Sequence, residues 1–245
     1  IAKLAEVRDT CKRAERAKES LPGACSSLYT AMSYRQEQSF FIVGERMNAS
    51  GSRRFKELLE SEAVDEMVSI GRQQVREGAN CLDINVDYAG RDGADDMARI
   101  VSEVVRQIDS PIMIDSTQPN IIEAGLRHSG GRSIINSANF EEGDDKFDQL
   151  ASLARTFGAG LVIGTIDEDP VEAMARTAER KFDIARRGIA RAREVHGLAI
   201  EDIFIDPLVL PISTGMDSDR RSALELIQRS ARAVVSGAAG CHAGV

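Results

Sequence analysis

The chain has 245 residues, 42% hydrophobic and 29% charged, with a net charge of -8, four Cys and no Trp. That apolar fraction supports a globular core, and at about 100–200 residues per domain the length allows one large domain or two small ones. The acidic balance excludes a nucleic-acid backbone as a partner, and no stretch approaches the roughly 20 apolar residues of a membrane span. The first residues, IAKLAEVRDTCKRAER, are not a signal peptide. Cys11, Cys25, Cys81 and Cys241 lie far apart without a CxxC. This disfavours a zinc or redox motif and suits free thiols in a reducing cytoplasm.

Residues 1–20 read as an amphipathic helix with Ile1, Leu4, Cys11 and Ala14 near one face, ended by Leu21-Pro22-Gly23. Residues 24–39 show no clear period, so 1–39 is expected to be a linker or the tail of a preceding domain. From Phe40 the pattern is regular. FFIVG (40–44) is the first strand, followed by a polar loop, ERMNASGSRR, and a long helical segment to about Glu77. CLDINV (81–86) precedes a helix from about Ala94 to Gln107. PIMID (111–115) precedes a helix opened by Pro119, which needs no N–H in a first turn. SIINS (133–137) precedes a helix near 145–157, AGLVIGTI (159–166) one near 172–196, and IFID (203–206) one near 218–233.

Short apolar strands alternating with amphipathic helices indicate a parallel sheet covered by helices. No GxGxxG follows the first strand, which removes the main support for a dinucleotide-binding sheet. Glu45, Asp83, Asn85, Asp115, Asn136, Asp167 and Asp206 all fall at or just past strand C-termini. In a barrel those ends converge on one mouth, whereas in an open six-stranded sheet they spread along about 25 Å of edge. A TIM (βα)8-type barrel is therefore the expected fold. Six units are complete, CHAGV supplies the first residues of a seventh strand, and the chain is expected to be truncated within that unit, with 40–245 an incomplete barrel.

A set of Asp and Asn accepts and donates hydrogen bonds without metal-ligand spacing, which suits a flat heterocycle presenting N–H groups beside a carbonyl, such as a pterin or guanine edge. Each residue alone has a plainer reading: Asp83 or Asp115 can cap the next helix, and Asp206 before Pro207 can form a turn. Recurrence from strand to strand favours a site. Carboxylates alone could hold magnesium, but no spacing demands it. His128 and His196 fall at helix ends, where a cation suits the dipole, and no Ser or Cys nucleophile partners them. Arg53, Arg54 and Lys56 form a basic patch, either a solvated helix start or a contact for an anionic substrate tail. Gly71, Gly78, Gly125 and Gly158 read as packing or helix-stop positions.

The runs GERMNASGSRRF (44–55), LDINVDYAGRDGADDM (82–97), PIMIDST (111–117), INS (135–137), TIDE (165–168) and IDP (205–207) resemble the pterin-binding methyltransferases. Within them the match is to the methyltetrahydrofolate-binding domains of cobalamin-dependent methionine synthases, and it covers about residues 40–235. Residues 26–46 resemble the connection from a preceding homocysteine-binding barrel. The resemblance implies that methyltetrahydrofolate binds in the mouth as substrate and passes its N5-methyl to cob(I)alamin, which methylates homocysteine to methionine. Cobalamin would sit on another domain and zinc in the preceding one. Asp115, Asn136 and Asp206 match the family's pterin-binding residues, with Asp115 and Asp206 also implied in catalysis. Glu45, Asn48, Asp83 and Asn85 match other mouth residues. An Asn contacting N5, in a Gly-Leu-Ser-Asn segment, would lie just past Val245, so the isolated chain is expected to transfer little methyl and bind folate weakly. Dihydropteroate synthase, a corrinoid iron–sulfur protein methyltransferase and an inactive folate-binding fragment are the alternatives.

Overall fold

A computed structural model describes residues 23–209 and 242–243. A short antiparallel hairpin, β1 (Ala24–Ser26) with β2 (Ala31–Ser33), comes first. There follow β3 (Val43–Asn48), α1 (Arg53–Glu60), α2 (Val64–Arg76), β4 (Cys81–Asn85), α3 (Gly93–Gln107), β5 (Ile112–Asp115) and α4 (Pro119–His128). The series continues with β6 (Ile134–Ala138), α5 (Asp144–Phe157), β7 (Gly160–Gly164), α6 (Ala178–Glu194), β8 (Ile203–Asp206) and β9 (His242–Ala243). Strands β3 to β9 form one parallel sheet in chain order, each joined to the next. This is the TIM-barrel arrangement of the βα repeat. The short seventh strand expected from CHAGV is β9, paired with β8 through Phe204 and His242.

Side chains alternate along each strand, so one set faces the helices and the other the barrel interior. The outward set, including Leu82, Ile84, Ile112, Ile114, Ile135, Leu161, Ile163 and Ile203, packs on Phe55, Met67, Ile100, Ile122, Phe147 and other helix residues in the main core. Each such buried side chain stabilises the fold by roughly 1.5–3 kcal/mol. Gly71 on α2 and Gly125 on α4 permit this approach. A Cβ on Gly125 would stand 2.8 Å from Cγ2 of Ile114, and one on Gly71 2.9 Å from Sδ of Met47. Gly158 ends α5 in the left-handed conformation, φ +68°.

The inward set changes character along the barrel axis. Cys81, Met113, Ile134, Val162 and Phe204 form a small apolar cluster at the strand N-termini. One inward step further come Asp83, Asp115, Asn136 and Asp206. The β1–β2 hairpin covers the apolar end: Cys25 and Tyr34 join that cluster, and Tyr34 packs edge-on against Phe204 at 4.7 Å. Arg132 ties the hairpin down, donating to the Ala24 carbonyl at 2.8 Å and pairing with Asp202 at 2.6 Å. Within the stretch 1–39 read as linker, residues 24–33 thus hold two three-residue strands, too short to show a period.

The structure corrects three element boundaries. The first strand begins at Val43, leaving Phe40 exposed, and extends through ERMN, which reads as loop because its polar residues line the open end. A register shift between Gly44 and Met47 places Glu45 and Arg46 in a bulge. The helical run to Glu77 is two helices, split at Glu62, whose φ is +56°. The helix expected near 172 begins at Ala178. Asp169 instead accepts from the Val171 and Glu172 N–H groups, and Met174 folds back to bridge Ile166. Thr177 caps the helix by accepting from the Arg180 N–H. The helices expected at 1–20 and 218–233 lie outside the described residues.

Candidate functional site

Parallel pairing sets Asn48 beside Asn85, Asn85 beside Asp115, and Asp115 beside Asn136, one row across four adjacent strands at the barrel mouth. Asp83 lies one inward step below Asn85 on β4 and is 2% exposed. The amides have defined directions. The Asn48 side-chain oxygen accepts the Ser50 and Gly51 N–H groups, at 2.9 and 2.8 Å. Its Nδ2 then donates to Asp115 Oδ2 at 3.0 Å and also faces Asp83. The Asn85 oxygen likewise accepts the Asp87 N–H at 3.0 Å, leaving its amide N–H for Asp115. Asn136 Nδ2 donates to Asp83 Oδ1 at 3.3 Å. Three amides therefore aim N–H groups at two carboxyls, and for Asn48 and Asn85 the direction is fixed by the backbone N–H groups that occupy their oxygens.

Burial raises the Asp83 carboxyl to about 8, and the neighbouring Asp115 charge adds to the rise. Asp115 is raised to about 6 by burial, with the charges of Asp87 and Glu45 adding and the Asn85 hydrogen bond opposing. Among the described residues no Arg or Lys figures in the main influences on either carboxyl. Near neutrality the two carboxyls thus retain about one proton between them, as two close acids in a low-dielectric site do. Carboxyls perturbed in this way cluster at functional sites.

Asp206 belongs to the same inward face through its register with Gly164, but its hydrogen bonds run elsewhere. Its Oδ1 accepts the Leu208 N–H at 2.8 Å, and its carbonyl accepts from the Thr165 N–H at 3.0 Å. Glu45 is exposed at the rim and acts on Asp83 and Asp115 through its charge. Asp167 is engaged by Arg180, whose Nε donates to its Oδ2 at 3.2 Å, and takes no part in the network. Two contributors were not singled out in the sequence, Asp87 and Ser116. Ser116 donates to Asp87 at 2.9 Å, behind Asp115. Their signal is the alternation Asp83, Asn85, Asp87 and the Ser directly after Asp115. Beside them a cleft of about 750 Å³ is lined by Asp87, Tyr88, Asp92, Gln118, Asn120 and Ile121. No group of three or more His, Cys, Asp or Glu could hold a metal ion among the described residues.

The histidines expected at helix ends lie there. His128 contacts the Ala124 carbonyl at 2.8 Å in the last turn of α4, and His196 meets Asp148 at 2.8 Å just beyond α6.

A row of acids and amides at a barrel mouth accords with the outcome of comparison against known families. The model of pterin binding enzymes matches residues 44–239. The chain belongs to the pterin-binding enzyme family. Methionine synthase of Mycobacterium tuberculosis is 40% identical over 231 residues, 93% of this chain and 19% of that protein. Methionine synthase of Mycobacterium leprae is 40% identical over 205 residues, 82% of this chain and 17% of that protein. This pterin-binding chain thus spans less than a fifth of the length of those relatives. A dihydropteroate synthase of Xanthomonas albilineans superposes with a TM-score of 0.65 at 17% identity, covering 92% of this chain and 77% of that one. The enzyme of Stenotrophomonas maltophilia gives 0.59 at 19% identity, over 88% and 74%. At such identities these likenesses establish the shared fold. Among the described residues no helix is long and apolar enough to cross a membrane.

Proposed function

We propose that this chain binds 5-methyltetrahydrofolate, and that in the complete enzyme the bound N5-methyl passes to cob(I)alamin for methylation of homocysteine to methionine. The observation that carries the reading is the acid–amide row at the mouth. Its carboxyls accept, its Asn48, Asn85 and Asn136 amides donate, and among the described residues no Arg or Lys pairs with Asp83 or Asp115. The 2-amino and ring N–H donors of a pterin, beside its carbonyl, are complementary to that pattern. The 40% identity to methionine synthases over most of the chain favours a methyl donor over other pterins.

In this reading Asp115, Asn136 and Asp206 hold the ring, with Asp83 and Asn85 behind it and Glu45 and Asn48 at the rim. A neutral tertiary amine releases a methyl group poorly, so transfer requires hydrogen bonding or protonation at N5. Asp115, which shares a proton with Asp83, and Asp206, on the same inward face, are assigned to that assistance. When bound, cob(I)alamin supplies the nucleophile, and it is carried by another domain of the same or a partner chain. Zinc and homocysteine belong to a preceding domain, and the enzyme acts in the cytoplasm.

Calorimetric titration of methyltetrahydrofolate into the polypeptide of the complete reading frame tests this. Asp115→Asn removes a carboxylate acceptor and is expected to weaken binding about 10- to 100-fold, the worth of a charge-assisted hydrogen bond. Absence of methyltetrahydrofolate binding by the wild type, with binding of a dihydropterin pyrophosphate, overturns the reading.

A further inference from the structure

The inward positions directly above the apolar plug come from the strands in turn. Asp83 stands above Cys81 on β4, Asp115 above Met113 on β5, Asn136 above Ile134 on β6, and Asp206 above Phe204 on β8. On β7 the corresponding position, above Val162, is Gly164. Between Asn136 and Asp206 the layer therefore has a place with no side chain. Glycine weakens a strand interior through backbone entropy and lost packing, so its presence in a fully buried strand calls for a cause.

The barrel itself supplies none. Gly71, Gly125 and Gly188 are required by packing, since a Cβ there would stand 2.9, 2.8 and 2.8 Å from a neighbouring side chain. Gly78, Gly143 and Gly158 take positive φ. Gly164 meets neither condition. Among the described residues the nearest atoms to a Cβ on it would be Ser137 Oγ at 3.6 Å, Asn139 Cβ at 3.8 Å and the Ala138 carbonyl oxygen at 4.0 Å. These are ordinary contact distances, and all three atoms lie on the β6 side. A bulge does not account for the glycine either. β7 pairs with β8 in unbroken register from Leu161 to Gly164, and the irregularity towards β6 falls between Ile135 and Ala138, on the other strand. The remaining reason for glycine in a strand is the close approach of something outside the strand.

The open place lies where a ligand has to pass. Asn136 and Asp206 stand on the two strands that flank β7, about 10 Å apart at roughly 4.8 Å per strand. A flat molecule hydrogen-bonded to both must cross β7 at the level of Gly164, and a side chain there would project into the space it needs. We propose that Gly164 is a specificity-determining residue of the mouth, its missing side chain forming the slot that admits a fused two-ring heterocycle against the β7 backbone. The inference rests on the folate reading above, which makes the ligand such a ring system gripped by Asn136 and Asp206.

The test titrates methyltetrahydrofolate by calorimetry into the polypeptide of the complete reading frame, as wild type, Gly164→Ala and Gly164→Val, alongside urea unfolding of each. Affinity should fall about tenfold for Ala and about 100-fold for Val, the range that overpacking a filled space produces. The unfolding midpoint of Gly164→Ala should stay the same or rise, because alanine loses less backbone entropy on folding than glycine. Affinity and stability moving apart is a result that a merely structural glycine does not give. Wild-type affinity in Gly164→Ala overturns the slot. So does a Gly164→Ala chain that fails to fold, or whose unfolding midpoint falls together with its affinity, since the glycine would then serve the barrel. Failure of the wild type to bind methyltetrahydrofolate overturns the folate reading, and this inference with it.

Discussion

Replacing Asp83 by Asn should stabilise the protein at alkaline pH and weaken its site at the same time. In the folded chain burial and Asp115 hold the Asp83 carboxyl near 8, whereas an unfolded Asp titrates near 4. Between those values the folded state retains a proton that the unfolded state has released. Stability is therefore highest near the unfolded value and falls as pH rises towards 8. At about 1.4 kcal/mol per pH unit the four-unit gap corresponds to a loss of order 5 kcal/mol. Asp115, raised to about 6, loses a further portion through the same interaction, so the two are not additive. Against a typical domain stability of 5–15 kcal/mol this is a large slope. Carboxyls held low by arginines, such as Asp96 beside Arg91 and Asp148 beside Arg191, contribute in the opposite sense. Their stabilisation is lost only below about pH 4, so these two carboxyls do not contribute to the slope between pH 5 and 8. The chain has no Trp, and urea unfolding followed by far-ultraviolet circular dichroism gives the readout. The wild-type midpoint should fall from pH 5 to 8. Asp83→Asn keeps an oxygen for the Asn136 amide, and should flatten most of the slope and be more stable at pH 8. A midpoint that rises over that range, or a variant that tracks the wild type, refutes the argument.

Ligand donors favour the ionised pair, so methyltetrahydrofolate should bind more tightly as pH rises from about 6.5 to 8. The gain is at most tenfold per unit for one released proton, and calorimetry in two buffers of different ionisation heat counts that proton. Gly125→Val would press its side chain into Ile114, already 2.8 Å from a single Cβ, and should cost about 1–3 kcal/mol by urea titration. Arg132→Ala removes the hydrogen bonds to Ala24 and Gly158 together with the Asp202 pair. It should speed amide hydrogen exchange across residues 24–33 while leaving α3 protected, and equal exchange in both segments would contradict the role given to the hairpin.

The parts legible in the sequence were those whose side chains face one kind of surroundings. Outward positions such as Leu82 and Ile84 meet helices, and inward ones at the base meet the apolar plug, so the central strands stand out as apolar runs bounded by helices of period 3.6. Acids and amides at the strand ends gave the position of the mouth. The extension of β3 through Glu45–Asn48 was hidden because its bulge and its polar end replace the apolar pattern that marks a strand. The hairpin was hidden because three-residue strands carry no period, although Tyr34 and Cys25 are buried there. The acid–amide directions were beyond the sequence. They depend on which backbone N–H groups reach the Asn48 and Asn85 oxygens, a matter of loop path.

Asp167 and Asp83 show why a strand-end acid is not enough to mark a site. Both are acids at strand ends, yet Asp167 is paired with Arg180 and half-buried, whereas Asp83 is 2% exposed and is met by the amides of Asn136 and Asn48 and by the charges of Asp115 and Glu45. A buried carboxyl costs several kcal/mol unless a cation or a full set of donors compensates it, and folding alone gives no reason to keep one beside a second acid. A Leu or Asn at 83 would serve the barrel better. The unrelieved pair makes sense if its missing donors arrive with a ligand, and the same shortfall that lowers stability above pH 5 then becomes affinity for a ring that presents N–H groups. Stability and binding should accordingly move in opposite directions in Asp83→Asn, and together in Gly125→Val, whose damage is to packing alone.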